Sequence, residues 1–367
     1  MTGTIRFLKI ANYRSIDVLE LREIKPFSVF VGPNGAGKTN FFGALDFVNL
    51  IIRFGAEEAL KKHGGFENIR CLRRRYEDAS VFEFELVFEL ETENQQTETL
   101  TYHLEIRQLD TSHPFIEDYV LFNDKSYRKT DVMDIFRNQY LDFKEKNFYY
   151  SNNPCLPLVA PFLPHFRLYQ IEPEKAKLPV KNYDDSELSH NGHNLAAVLN
   201  RLEKDDDIRE TILEWMEFVI PGLERVDTQI ERLTGSTVLT FKEEGIEKLL
   251  PAHLISDGTI YLLSLLVALF DRPSRGLILI EEPERGLHPK VIMELVDAFR
   301  EQATFEHPIW MTTHNEALVR CLKNNELWLV DKKQGHTEMK QVPDLDKLAS
   351  SVDQAWLTNT LSGGLPW

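Results

Sequence analysis

The chain has 367 residues, of which 43% are hydrophobic and 11% aromatic, and carries a formal net charge of -16. That length allows two or three domains, or one large domain with insertions, and the apolar share is enough for a sizeable core. So acidic a chain is poorly suited to broad electrostatic capture of nucleic acid or an anionic membrane, although a local basic groove stays open.

The opening stretch "MTGTIRFLKI" lacks the basic-then-apolar layout of a signal peptide. Within it, residues 4–10 alternate like a strand, and "FSVFVG" (27–32) is an apolar run of the kind a strand covered on both faces carries. A glycine-rich turn follows, then a helical stretch over about 37–52. Residues 80–90 and 99–109 alternate again, and the polar "ETENQQTE" between them reads as a hairpin connection. From 110 to about 180 the pattern is irregular, with six prolines between Pro154 and Pro179. "NLAAVLNRL" and "ETILEWMEFV" read as helices separated by an acidic run, and "VDTQIERL" with "STVLTFKEE" as a second strand pair.

The last third alternates: helix 258–270, strand 277–281, helix 289–302, strand 308–313, helix 315–323. That alternation implies a parallel sheet. The longest apolar run, 260–270, is too short to span a bilayer, so no membrane is expected. Cys71, Cys155 and Cys321 form no CxxC pair, and a reduced, cytoplasmic setting fits them.

Two motifs carry chemistry. "GPNGAGKT" (Gly32, Pro33, Asn34, Gly35, Ala36, Gly37, Lys38, Thr39) satisfies G-x-x-x-x-G-K-[ST] between a predicted strand and a predicted helix. In such a P-loop, glycines let backbone N–H groups close around phosphate oxygens. Lys38 reaches the β- and γ-phosphates of ATP, and the Thr39 hydroxyl takes Mg²⁺. The second motif is "LILIEEPERGLHP" (277–289). Two adjacent carboxylates at the end of an apolar strand are costly unless a cation compensates them. A P-loop site requires an acid near Mg²⁺ on a neighbouring strand. Glu281 closes the strand and takes that role. Glu282, one residue on, is placed to polarise a water attacking the γ-phosphate.

With these residues in view, the chain resembles the ABC-type P-loop ATPases of the SMC, RecF and OLD branch, and most closely the stand-alone bacterial OLD-like ATPases ("AAA-21", AAA family). The matching stretches are "LKIANYRSI" (8–16), "VGPNGAGKTN" (31–40, ending at Asn40), "GHNLAAVLNRL" (192–202), "LISDGTIYLLSLL" (254–266), "IEEPERGLHP" (280–289) and "MTTHNEALV" (311–319). The resemblance implies an α/β fold of ABC/SMC-head type: a mainly parallel central sheet, an antiparallel β subdomain, and a helical or irregular insertion. It divides the chain into 1–110 (N-terminal part of the ATPase domain), 111–185 (insertion) and 186–367 (signature region and C-terminal part).

It also assigns roles. Ser256, Asp257 and Gly258 stand where such ATPases carry the signature that contacts the γ-phosphate held by the opposite subunit. Asp257 departs from the transporter pattern, which has glycine there. His314 stands where a histidine senses the γ-phosphate, and His288 where transporters have the D-loop aspartate. Gln170, after an apolar stretch, is the candidate Q-loop glutamine. The expected protein is a cytoplasmic, Mg²⁺-dependent ATP hydrolase, a homodimer or higher homo-oligomer. It closes around ATP as a switch for a separately encoded effector, as in anti-phage defence. Too few residues follow His314 for a TOPRIM nuclease domain. The alternative is an ATP-dependent nucleic-acid clamp of RecF type with little turnover. The basic cluster Arg70, Arg73, Arg74 and Arg75 suits nucleic-acid phosphates, a solvated helix face or an acidic partner equally.

Overall fold

The computed structural model describes residues 2–71, 81–91, 97–107, 115–122, 125–128, 166–181, 184–231, 234–271 and 276–342. They form two compact units. The first comprises residues up to 167, 274–279, and those from 300 onward; the second comprises 168–273 and 280–299. The chain therefore passes between units at 167/168, 273/274, 279/280 and 299/300.

The first unit contains an antiparallel sheet in the spatial order Ile16–Arg22, Thr2–Tyr13, Val81–Glu91, Thr97–Arg107, Phe115–Phe122, Lys125–Arg128. The expected hairpin pairs from Val81 opposite Arg107 to Glu91 opposite Thr97. Period-two patterning explains its faces. Phe82, Phe84, Leu86 and Phe88 are buried together with Leu100, Tyr102, Leu104 and Ile106. Each such side chain contributes about 1.5–3 kcal/mol of transfer free energy. The opposite face carries compensated charge: Lys9 Nζ lies 2.6 Å from Glu83 Oε1, and His103 stands between Glu85 (3.2 Å) and Glu105 (3.3 Å). "FIEDYVLF", which sequence placed in the insertion, extends this sheet as Phe115–Phe122. The rest of 111–165 lies outside the described residues, apart from Lys125–Arg128.

A second sheet positions the phosphate loop. Phe27–Val31 lies between Ile309–Thr313 and Leu327–Lys333, parallel to both, and His336–Gln341 adds an antiparallel edge. All five residues of Phe27–Val31 and of Ile309–Thr313 are buried, which is why Phe27–Val31 reads as a nearly continuous apolar run broken only by Ser28. The sheet continues to Ile278–Glu281 and Arg167–Tyr169, two strands along which the chain leaves the first unit. Helix Lys38–Phe54 packs Phe41 and Phe42 against Phe30, at ring separations of 4.7 and 5.9 Å, and Phe41 stacks on Trp310.

In the second unit, helix Asp257–Phe270 is buried along most of its length, as its apolar sequence demands. Asp206–Val219 starts inside the acidic run because Asp205 caps it, accepting from the N–H groups of Asp207 and Ile208. Leu223–Ile230 and Ser236–Glu243 form the expected antiparallel pair. Asp271, 5% exposed, receives Arg201 Nη2 at 2.5 Å and Leu188 N at 2.7 Å. This is a buried charge kept by a full set of partners.

Strands that were not anticipated include Ile16–Arg22, Leu327–Lys333 and His336–Gln341. The expected helix 315–323 is a single turn, Glu316–Val319, capped by Asn315. Among the described residues, no helix is long and apolar enough to cross a membrane.

Candidate functional site

In the first unit, Gly32–Lys38 connects strand Phe27–Val31 to helix Lys38–Phe54. The glycines are required by space and by backbone. A Cβ on Gly32 would stand 2.2 Å from the Val330 carbonyl oxygen. One on Gly37, whose φ is +107°, would stand 1.9 Å from Thr337 Oγ1. The helix cap, Gly37, offers no side-chain acceptor to the first-turn N–H groups, which suits an anion there. Lys38 is 7% exposed, and its Nζ donates to Gly32 O (2.7 Å) and Pro33 O (3.1 Å). The ammonium is thereby held inside the loop. Thr39 is exposed at the start of the helix, as are Asn34 and Gly35 within the loop. These features fit the phosphates of a nucleotide.

Two residues that sequence reasoning missed brace this loop. Thr337 Oγ1 donates to Ala36 O (3.0 Å), and its N–H donates to Ser15 O (2.8 Å). Ser15 Oγ lies 2.7 Å from Thr337 Oγ1 and accepts from Asn40 Nδ2 at 2.6 Å. Asn40 thus faces a structural network. Ser15 belongs to the noted "NYRSI" stretch, whereas nothing in the pattern around Thr337 marks it. His314 directly follows strand Ile309–Thr313, and Gly32 N donates to Thr313 O (3.3 Å). The exposed histidine therefore sits one residue beyond the rung where the phosphate loop begins.

In the second unit, Glu281 ends its strand and Glu282 turns the backbone into the left-handed region, φ +49°. That conformation costs a non-glycine residue on the order of 1–3 kcal/mol and concentrates at functional sites. Gln170 Nε2 donates to Glu281 Oε2 at 2.5 Å, so the two residues meet. Behind Gln170, His190 lies 3.1 Å from its Oε1 and 2.9 Å from Leu168 O. Tyr261 Oη reaches the carbonyl oxygens of Glu281 (3.2 Å) and Glu282 (2.9 Å). Burial, and after it the nearby Glu284, raises the Tyr261 pKa far above the ordinary phenol range, so it stays a donor. Glu284 is itself 5% exposed, a third acid of this turn that sequence did not single out.

Ser256 caps helix Asp257–Phe270, its Oγ accepting from Thr259 N at 3.2 Å. A hydroxyl that accepts this bond can still donate its own proton. Asp257 is exposed, and Lys177 Nζ meets its Oδ1 at 2.5 Å, which offsets the negative charge at this helix start. Gly258 packs so closely that a Cβ there would stand 2.4 Å from Gly286 O. Ser256, Gly258, Gly286, His288 and Lys290 line a cavity of about 360 Å³, with Phe218 on its apolar side. His288 Nδ1 accepts from Lys290 N (3.2 Å), a local turn contact. Of the basic cluster, Arg70 is paired with Glu67 at 2.6 Å, and Arg73, Arg74 and Arg75 lie outside the described residues.

A glycine loop between a buried parallel strand and a helix is the arrangement of a P-loop ATPase, here on a fold of the ABC and SMC-head type. The chain belongs to the family described as "AAA domain, putative AbiEii toxin, Type IV TA system", whose model matches residues 27–320. Its fold is similar to an Smc head crystallised with the C-winged helix domain of ScpA. The TM-score is 0.60 at 13% identity, covering 94% of this chain and 99% of that one. An Smc head with an extended coiled coil, bound to the C-terminal domain of ScpA derived from Pyrococcus furiosus, gives a TM-score of 0.51 at 12% identity, covering 96% and 98%. No curated protein matches the sequence.

Proposed function

We propose that the chain is a Mg²⁺-dependent ATP hydrolase that dimerises around ATP and serves as a switch for a separately encoded effector, as OLD-like ATPases of anti-phage defence do. The observation that carries this reading is the turn at Glu281–Glu282. A strained, left-handed glutamate directly after a strand-ending glutamate separates two carboxylates for two tasks. ATP with Mg²⁺ supplies the scissile anhydride and the charge-neutralising cation. Lys38 binds the β- and γ-phosphates. Thr39 and Glu281 are the residues that would hold the cation, oxygen being the donor type a hard cation takes. Glu282 orients and deprotonates the attacking water, and His314 reads the γ-phosphate.

Support for a composite site comes from Ser256 and Asp257, exposed at the start of a 14-residue helix beside the 360 Å³ cavity. A second copy's γ-phosphate would be read by Ser256 and Gly258. That the similar Smc head is bound by a domain of another protein supports work with a separate partner.

The test is a pair of measurements on Glu282→Gln: ATP turnover, and size by gel filtration in Mg²⁺–ATP. Loss of a general base lowers the rate about 10²–10⁴-fold and leaves binding intact. The variant should therefore accumulate as a closed dimer. Parental turnover would sink the catalytic assignment, and slow turnover without added dimer would sink the switch.

A further inference from the structure

Helix Asp257–Phe270 touches the Glu281–Gly286 turn twice. Gly258 and Tyr261, three residues apart, share one face of the helix. At Gly258 the helix backbone abuts the Gly286 carbonyl so tightly that no side chain fits between them. At Tyr261 the phenol hydroxyl bridges the carbonyls of Glu281 and Glu282, which belong to the two peptide groups on either side of the left-handed residue. The tyrosine is 2% exposed, so its hydroxyl is held at this point by its surroundings.

We infer that Tyr261 is a positioning residue: it holds Glu282 in its left-handed conformation and so ties the pose of the proposed base to the pose of the helix that begins with Ser256–Gly258. The inference rests on the proposed role of Glu282. A buried phenol that needed only one acceptor would be satisfied by one carbonyl. Here it spans both carbonyls of the one strained step in the turn, and a second fixed contact lies one helical turn away. Glycine at 258 and tyrosine at 261 thus join the surface offered to a second copy to the residue acting on the chain's own nucleotide. Any shift of the helix on docking is felt at Glu282, which gives a route by which closure licenses hydrolysis.

The experiment compares the parent, Tyr261→Phe, the same position carrying 4-aminophenylalanine, Glu282→Gln, and the double variant Tyr261→Phe/Glu282→Gln. The readouts are kcat and KM for ATP, and binding of N-methylanthraniloyl-ATP. Phenylalanine keeps the packing and removes the donor; the amino analogue restores a donor at the same reach. The expected result is a kcat about tenfold lower for Tyr261→Phe with KM and analogue binding unchanged. The amino analogue should recover the rate, and adding Tyr261→Phe to Glu282→Gln should slow it no further, because the residue acts through Glu282. The inference is overturned if Tyr261→Phe turns over normally while Glu282→Gln is slow, or slows both backgrounds by the same factor. It is also overturned if Tyr261→Phe loses analogue binding, which would make the role merely structural. Normal turnover by Glu282→Gln is a distinct failure, that of the catalytic reading itself, and takes the inference with it.

Discussion

At the scale of single residues, the chemistry of the phosphate loop fixes what each side chain can be. Lys38→Ala removes an ammonium held within the loop by two carbonyls. Charge-assisted contacts of this type are worth about 1.5–3 kcal/mol, so ATP affinity should fall roughly tenfold to a hundredfold in an equilibrium titration. A variant that binds and hydrolyses like the parent would refute the assignment. A second prediction concerns Glu203, whose Oε2 is buried without a hydrogen-bond partner among the described residues while Thr228 and Asn200 donate to Oε1. Burial raises its pKa above the ordinary 4.5. The folded chain then holds this proton more tightly than the unfolded one. Stability attributable to Glu203 is lost as pH rises from about 4.5 through the folded-state value, and the penalty is fully present above it. Glu203→Gln should therefore raise the melting temperature at pH 7 by ~1–3 °C, with the gain shrinking as pH falls toward 4.5. An equal gain at both ends would dismiss the cause. The positions of Lys38, Glu281, Glu282 and His314 at the ends of a loop or a strand were legible in the sequence, because an apolar run that stops at a charged or polar residue marks its own end. Thr337 and Tyr261 were not. Thr337 acts through contacts with Ala36 and Ser15, 301 and 322 positions away, and Tyr261 through the two carbonyls of Glu281 and Glu282; neither residue type is unusual in a strand or helix.

At the scale of elements, legibility followed patterning. The hairpin Val81–Arg107 carries a strong period-two signal, and a fully buried parallel strand such as Phe27–Val31 a short, mostly apolar run. His336–Gln341 does not: in "HTEMKQ" only Thr337 and Met339 are buried, and one of them is polar. Yet this edge strand holds the outer wall of the phosphate loop. Thr337→Val keeps the shape and the strand propensity but removes the hydroxyl that bonds Ala36 O and Ser15 Oγ. Nucleotide affinity should drop about tenfold or less, because the loop loses one brace and no phosphate contact. Titration with the fluorescent ATP analogue measures this, and an unchanged affinity would show that Gly37 and Ala36 hold the loop without help.

At the scale of the whole molecule, the proposed composite site predicts complementation. Ser256→Arg chains alone should be inactive, because the arginine blocks the surface offered to a second copy. Lys38→Ala chains alone should also be inactive. A mixture should regain part of the activity, since each mixed dimer can form one intact site; no rescue by two folded variants would place the site within one chain. The interleaved plan of the fold has a further consequence, for biosynthesis. The strand that precedes the phosphate loop, Phe27–Val31, pairs on both sides with strands made much later, Ile309–Thr313 and Leu327–Lys333. Translation at 5–20 residues per second puts roughly 15–60 s between the first strand and its neighbours. Throughout that interval the strand leading into the loop lacks both of the strands that pair with it. A loop able to hold a nucleotide is therefore expected only once Leu327–Lys333 has been made, and nucleotide binding by chains stalled on the ribosome before and after that strand would test it.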